Sequence, residues 1–202
     1  MYQPKKYKKE NQEYIFEFIK NHPFATFVIN GNRLLATHIP VLPKGISTDF
    51  ILFGHISKHN EQFQYLKNGA EALLVFQGAN AYVSSSWYNE KDISTWDYSA
   101  VHVNVKIKVQ SEEELKDSLE KLVFHFEKNQ EKPLYLKNIP KKIVDLNFPN
   151  IIGFWCEPFK IEAIAKLHQG FEREDVESVV AHLEADKNSV EISENIKKEH
   201  GL

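Results

Sequence analysis

Val101-His102-Val103-Asn104-Val105-Lys106-Ile107-Lys108-Val109 decides the fold class. Five β-branched residues alternate with four polar ones over nine positions, the period-2 signature of a strand with one face in a core and the other wet or functional. Working outward, the chain holds more such strands. Phe24 to Ile29 is rich in β-formers, and Leu34 to Val41 returns after Asn30-Gly31, whose residue types favour a tight hairpin with positive φ at both central positions. Pro43, Gly45 and Ser47-Thr48-Asp49 mark a turn before a third strand, Phe50 to His55. Ala72 to Phe76 is a continuous apolar run, a strand buried on both faces, and Ala81 to Ser86 forms another after Gly78. Ile151 to Leu167 reads as strand broken at Pro158.

Helices are interposed. Asn11 can cap a helix over 11–21 that Pro23 ends. A short helix is expected near 59–67, stopped by Asn68-Gly69. Ser111 with Glu114 makes a capping box for a helix to about Lys128. Further helices are expected near 140–146, 174–184 and 190–198. Residues 87–96 form a polar loop with aromatic flanks. Sequential hairpin strands with a few helices define an α+β fold centred on a β-barrel.

Bulk properties limit the function. The 202 residues can bury a sizeable core, with 42% hydrophobic and 26% charged residues as in ordinary globular chains. The 12% aromatic content calls for a core, a pocket or an interface to cover it. A net charge of −3 argues against gripping nucleic acid by bulk electrostatics, though it leaves room for a local patch. The lone Cys156 cannot form an internal disulfide and points to a reducing compartment. No apolar run follows the charged N-terminus and none reaches membrane-span length, so a cytoplasmic protein is expected, with no signal peptide and no membrane partner.

Several clusters can carry chemistry. Gly54-His55-Ile56-Ser57-Lys58-His59-Asn60 falls where a strand turns into a helix. Outward N–H groups of a first helical turn, a serine hydroxyl and a lysine ammonium would together suit an anion; a capped polar turn is the plain alternative. His55 and His59 are four apart, but no Glu or Cys completes a familiar metal set, so no metal is assigned. In Ala36-Thr37-His38-Ile39-Pro40, Thr37 shares a face with Leu35 and Ile39, and His38 with Leu34 and Ala36. His38 can be structural or can meet a ligand at the barrel rim. Gln77 ends an apolar run, where a buried amide needs partners; it can match a heterocycle edge or make a turn contact. Ser84-Ser85-Ser86-Trp87-Tyr88 and Thr95-Trp96-Asp97-Tyr98 flank one loop, and their rings can line a pocket for a flat heterocycle or bury an interface. No nucleophile elbow, phosphate loop or dinucleotide glycine pattern is present, and no catalytic residue is assigned.

These motifs, with Pro4, Asn21-His22-Pro23-Phe24-Ala25-Thr26, Val75-Phe76-Gln77-Gly78 and Ser99-Ala100-Val101-His102-Val103, resemble in order the PaiB family over most of residues 1–170. That family is named for FMN-binding negative transcriptional regulators linked to protease synthesis and sporulation. The resemblance implies an FMN-binding split β-barrel like that of pyridoxamine-phosphate oxidase, with added helices, over 1–170. Residues 171–202 would then be a helical extension of the same domain. It implies a homodimer with flavin sites between subunits, FMN as cofactor, and cofactor contacts from Thr37, His38, His55, Ser57, Lys58, Gln77, Ser86 and Trp87, the last two closing the site. Two functions follow as expectations: repression of transcription, direct or through a partner, and alternatively an FMN-dependent oxidoreductase or flavin reductase. For direct DNA contact the basic candidates are Lys5, Lys6, Lys8, Lys9, Lys137, Lys141 and Lys142.

Two positions depart from the family pattern. Trp96-Asp97-Tyr98 stands where the family commonly reads Trp-Asn-Tyr, and an Asp there would repel an anionic cofactor unless paired. Lys166-Leu167-His168-Gln169-Gly170-Phe171 stands where Lys-Leu-Ser-Gln-Asn-Arg is usual. The missing arginine implies weaker flavin occupancy.

Overall fold

The computed structural model describes residues 1–89 and 92–202. The alternating stretch lies inside a longer strand, Thr95–Val109, whose regular apolar alternation begins only at Val101. Among the described residues, seven strands form one sheet: β1 (Phe24–Asn30), β2 (Leu34–Pro40), β3 (Leu42–Ile46), β4 (Asp49–Ser57), β5 (Glu71–Val83), β6 (Thr95–Val109) and β7 (Ile151–Lys166). Their order is β2-β1-β5-β6-β7-β4-β3. The described residues also form the helices α1 (Gln12–Asn21), α2 (Glu112–Glu127), α3 (Lys141–Asn147), α4 (Arg173–Ala185) and α5 (Val190–His200). The fold class is α+β, as the alternation of strands and helices implies.

The chain divides into two compact units. One contains 19–76 and 103–161, the other 1–18, 77–102 and 162–202. In the first, β1 to β4 combine with parts of β5, β6 and β7. Phe27, Leu52, Leu74, Phe76, Val103, Val105 and Phe154 are wholly buried there, and the rings of Phe27 and Phe154 stack at 5.2 Å. β2 and β4 lie near opposite ends of the strand order, yet they meet. A Cβ on Gly54 of β4 would lie 3.3 Å from the Pro40 carbonyl oxygen of β2. The sheet therefore curls into a barrel, and the missing side chain at Gly54 lets the two strands approach.

In the second unit, α4 and α5 close over a cluster containing Val83, Ala165, Leu167, Val179, Leu183, Ile192 and Ile196. The N-terminal segment adds a bridge, Lys8 to Ile164, and its terminal ammonium bonds Glu162 at 3.0 Å.

Several boundaries differ from expectation, each for a local reason. The Asn30-Gly31 hairpin forms, but neither residue has positive φ. The loop is 31–33, closed by the Gly31 N–H on the Arg33 carbonyl. Gly31 is needed for space instead: a Cβ would sit 2.6 Å from the Tyr65 ring. Gly31→Ala should therefore lower stability by about 1–3 kcal/mol through overpacking. Urea denaturation measures this, and a loss below about 0.5 kcal/mol would show that Tyr65 simply moves aside.

The stretch around Pro43 is strand β3, not turn. It lies on the sheet edge, where proline forfeits no ladder bond. Ala72–Phe76 and Ala81–Ser86 belong mostly to one strand, since the backbone stays extended through Gly78. β7 also runs on through Pro158, which lies beyond the register with β4 that ends at Leu52 and Cys156. The helix expected at 59–67 is only a 3-10 turn over Glu61–Tyr65. α2 begins on the expected capping box, with Ser111 and Glu114 bonding reciprocally.

Candidate functional site

Strand β4 delivers His55, Ser57 and Lys58 to one end of the barrel unit. Burial pushes the His55 imidazole below its ordinary pKa, so near pH 7 it is neutral, with one donor and one acceptor. Ser57 and Lys58 are exposed. Their setting differs from the expected anion cradle in one respect. The backbone donors of this turn are already used: Lys58 N–H bonds the Asn150 carbonyl at 2.8 Å, and Asn60 N–H bonds the Ser57 carbonyl. His59 N–H bonds Ser57 Oγ at 3.1 Å and Gln62 N–H bonds Asn60 Oδ1. The short 3-10 turn closes on itself, so its N–H groups are not turned outward. What remains for an anion is the Lys58 ammonium, with the Ser57 hydroxyl available once it turns from His59 Nδ1, 3.3 Å away.

Lys58 has company. It lines a cavity of about 680 Å³ with Lys116 of α2, Lys137, and Lys141 of α3. Leu136, Ile139, Val144, Phe148 and Pro149 give it an apolar wall. Three carboxylates, Glu112, Glu120 and Asp145, also line it, and Asp145 pairs with Lys141. Four ammonium groups against three carboxylates leave a positive excess, which favours an anionic ligand with an apolar body.

Thr37 and His38 lie on β2 as alternation predicts. Thr37 is half-buried between buried Leu35 and Ile39, while His38 is exposed and its ring stacks on Phe24 at 5.9 Å. Gln77 does not end a strand and is not buried; it is exposed in mid-β5. The buried amide of the barrel unit is Gln62. It is 2% exposed, and its Nε2 donates to the carbonyls of Phe27 and Leu35 across the β1–β2 hairpin. Sequence reasoning missed it because a Gln in a polar turn carries no signal of burial.

Gln77, Ser86 and Trp87 belong to the second unit. Ser86 Oγ and Ser84 Oγ share a bond of 2.9 Å. The Trp87 ring stacks on His182 of α4 at 4.9 Å and 10°. Its carbonyl accepts from Ser178 Oγ at 2.6 Å.

The same unit buries the charge flagged as repulsive. Asp97 is wholly buried, and its Oδ2 accepts from His168 Nδ1. The Lys166 ammonium lies 3.6 Å from Oδ1. With Nδ1 carrying the proton, His168 Nε2 accepts from the Tyr88 hydroxyl at 3.0 Å. Burial, then the Asp97 charge, push the Tyr88 phenol up to about 12, which keeps it a donor. Phe171, where the family shows arginine, covers this cluster and stacks on Tyr88 at 5.4 Å. The two departures thus meet in one place. Both ring nitrogens of His168 are committed, so the imidazole organises structure rather than offering a nitrogen to a ligand. Cys156 is wholly buried and its thiol is pushed up by burial, as fits a space-filling residue.

A curled antiparallel barrel carrying a basic, partly apolar cavity defines the class: an α+β split barrel of the pyridoxamine-phosphate-oxidase type. Residues 1–157 match a family model described as "Putative FMN-binding domain", and the chain belongs to that family, with FMN as its cofactor. The chain is 30% identical over 189 residues, 93% of its length and 91% of the relative's, to protease synthase and sporulation protein PAI 2 of Bacillus subtilis. Among solved structures it resembles the FAD and heme binding protein of Mycobacterium smegmatis. That match has TM-score 0.60 at 14% identity, over 86% of this chain and 79% of the other. It also resembles the flavocytochrome Anf3 of Azotobacter vinelandii, with TM-score 0.57 at 13% identity over 83% and 73% of the two chains. At these identities the structural likeness speaks to fold alone. No described helix is long and apolar enough to cross a membrane.

Proposed function

We propose that the chain is a homodimeric, FMN-dependent regulator of the PaiB type that lowers transcription through a partner, with the flavin phosphate held by Ser57 and Lys58. The observation that carries the phosphate assignment is the lysine-rimmed cavity at the end of β4, where Lys58 stands with Lys116, Lys137 and Lys141. The Ser57 hydroxyl would donate to a phosphate oxygen and the Lys58 ammonium would balance its charge. Neutral His55 would contribute a hydrogen bond without charge. Thr37 and His38 on β2 of the same unit complete the candidate cofactor set. Bound FMN supplies reversible one- and two-electron chemistry; the protein's part is binding and orientation.

Action through a partner is favoured over direct DNA contact because the net charge is −3 and three of the seven basic candidates are paired within the chain. Lys8 pairs with Glu10, Lys9 with Glu199 at 2.7 Å, and Lys141 with Asp145. A gel shift with promoter fragments at modest salt should show no retention. A salt-sensitive, sequence-selective shift would instead establish direct binding.

Lys58→Ala should weaken FMN binding by about 10- to 100-fold, the loss expected for one hydrogen bond to a charged group. Flavin fluorescence titration measures it, with circular dichroism showing that the fold is kept. Unchanged affinity would refute the phosphate assignment and leave the family assignment standing.

A further inference from the structure

The second unit carries a cleft that the FMN reading does not use. It has a volume of about 430 Å³ and lies between β5, β6 and the α4–α5 hairpin. Its walls are aromatic: Tyr82, Trp87, Trp96 and His182. Tyr82 and Trp96 are 50% and 52% exposed, with ring centroids 6.1 Å apart. Large rings left this open are costly unless something covers them.

The rings are held in place. The Trp96 indole N–H donates to Asn80 Oδ1 at 3.0 Å. The Trp87 ring is stacked on the parallel ring of His182. Preorganised rings lose little entropy when a flat ligand enters.

The charge of the cleft is the deciding feature. Among the described residues, its lining includes no Lys or Arg and one carboxylate, Asp186. Asp186 accepts from Asn188 N–H and Ser189 Oγ–H, which hold its carboxyl below the usual carboxylate range and keep it ionised. The nearby Lys166 is engaged by Thr95, the Trp96 carbonyl and Asp97. Electron-rich indole and phenol faces beside a carboxylate repel a phosphate-bearing anion and attract a cation.

We infer that this cleft is a ligand site of the second unit that takes a flat, cationic nitrogen heterocycle of the pyridinium class. The ring slots against Trp96 and Tyr82 while Asp186 answers its charge. Trp87 and His182 close the inner end as one stacked wall.

The test uses the full chain labelled with nitrogen-15. The three tryptophans give three indole N–H signals, and Trp155, bonded to Glu114 in the other unit, is an internal control. Titration with 1-methylnicotinamide should shift the Trp96 and Trp87 signals saturably and leave Trp155 still. Neutral nicotinamide should bind the same place about 2- to 5-fold more weakly, the difference expected for one exposed cation–π and charge contact. Asp186→Asn should erase that preference. Trp96→Ala should abolish saturation; Tyr82→Ala, at a second exposed ring, gives the same reading should Trp96→Ala misfold. Non-saturating shifts, or equal shifts of all three indoles, would overturn the inference. FMN moving the Trp87 and Trp96 signals in place of the cation would also overturn it, by making the cleft part of the flavin site. The Lys58→Ala result is independent of each of these outcomes.

Discussion

His168→Asn should destabilise the protein by about 3–5 kcal/mol, the usual cost of removing one partner from a buried charged pair. His168 and Asp97 are 1% and 0% exposed, and among the described residues the imidazole joins Asp97 to Tyr88. Without it the carboxylate keeps only the Lys166 ammonium at 3.6 Å, which is itself bonded to the Trp96 carbonyl. Tyr88 would lose its hydroxyl partner as well. Asparagine is the informative replacement because His168 has φ 65, the left-handed region, which Asn tolerates and most side chains do not. Backbone strain therefore stays out of the comparison. Adding Asp97→Asn removes the stranded charge and should recover at least about 1 kcal/mol, since sites in direct contact are not additive. Urea denaturation of the two single variants and the double variant measures both quantities. A His168→Asn loss below about 1 kcal/mol would mean that Lys166 or water serves Asp97 equally well.

Phe27→Ala should cost about 3–5 kcal/mol by a different route, the loss of transfer free energy plus the cavity left in a close-packed core. Phe27 is wholly buried on β1 and stacks on the wholly buried Phe154 of β7. β1 is fixed by strands on both sides, through pairings such as Phe27 with Thr37 and Phe27 with Leu74, so the backbone has little freedom to collapse into the space. Phe27→Leu keeps most of the volume and should cost clearly less. Equal losses for the two variants would point to a ring-specific effect rather than a volume effect.

Much of the fold was readable along the chain, and the reasons are local. The alternation of Val101 to Val109, the Ser111–Glu114 capping box and the β-rich runs around Asn30-Gly31 each state their structure through residues a few positions apart. Errors gathered where a residue's meaning depends on what faces it across space. Pro43 and Pro158 look like breakers, yet Pro43 sits on the edge strand and Pro158 lies beyond the stretch of β7 paired with β4. Gly31 looks like a positive-φ turn residue, yet it makes room for Tyr65, 34 positions away. The buried amide was expected at Gln77 and lies at Gln62.

The candidate site divides in the same way. Ser57 and Lys58 could be chosen from residue type and position at a strand end. The lysines that join Lys58 come from α2, α3 and the segment between them, more than fifty residues away in sequence, so only folding assembles the cavity. Likewise the sequence by itself indicated that Asp97 needs a partner, because a carboxylate beside an anionic cofactor is repulsive unless paired. Only the tertiary structure decided that the partner is His168, 71 residues further on, held beside Tyr88 under the ring of Phe171. The physical reason is range. Periodicity, capping and turn chemistry act between near neighbours along the chain, whereas charge pairing, ring stacking and the space beside a glycine act between any groups that packing brings within a few ångströms.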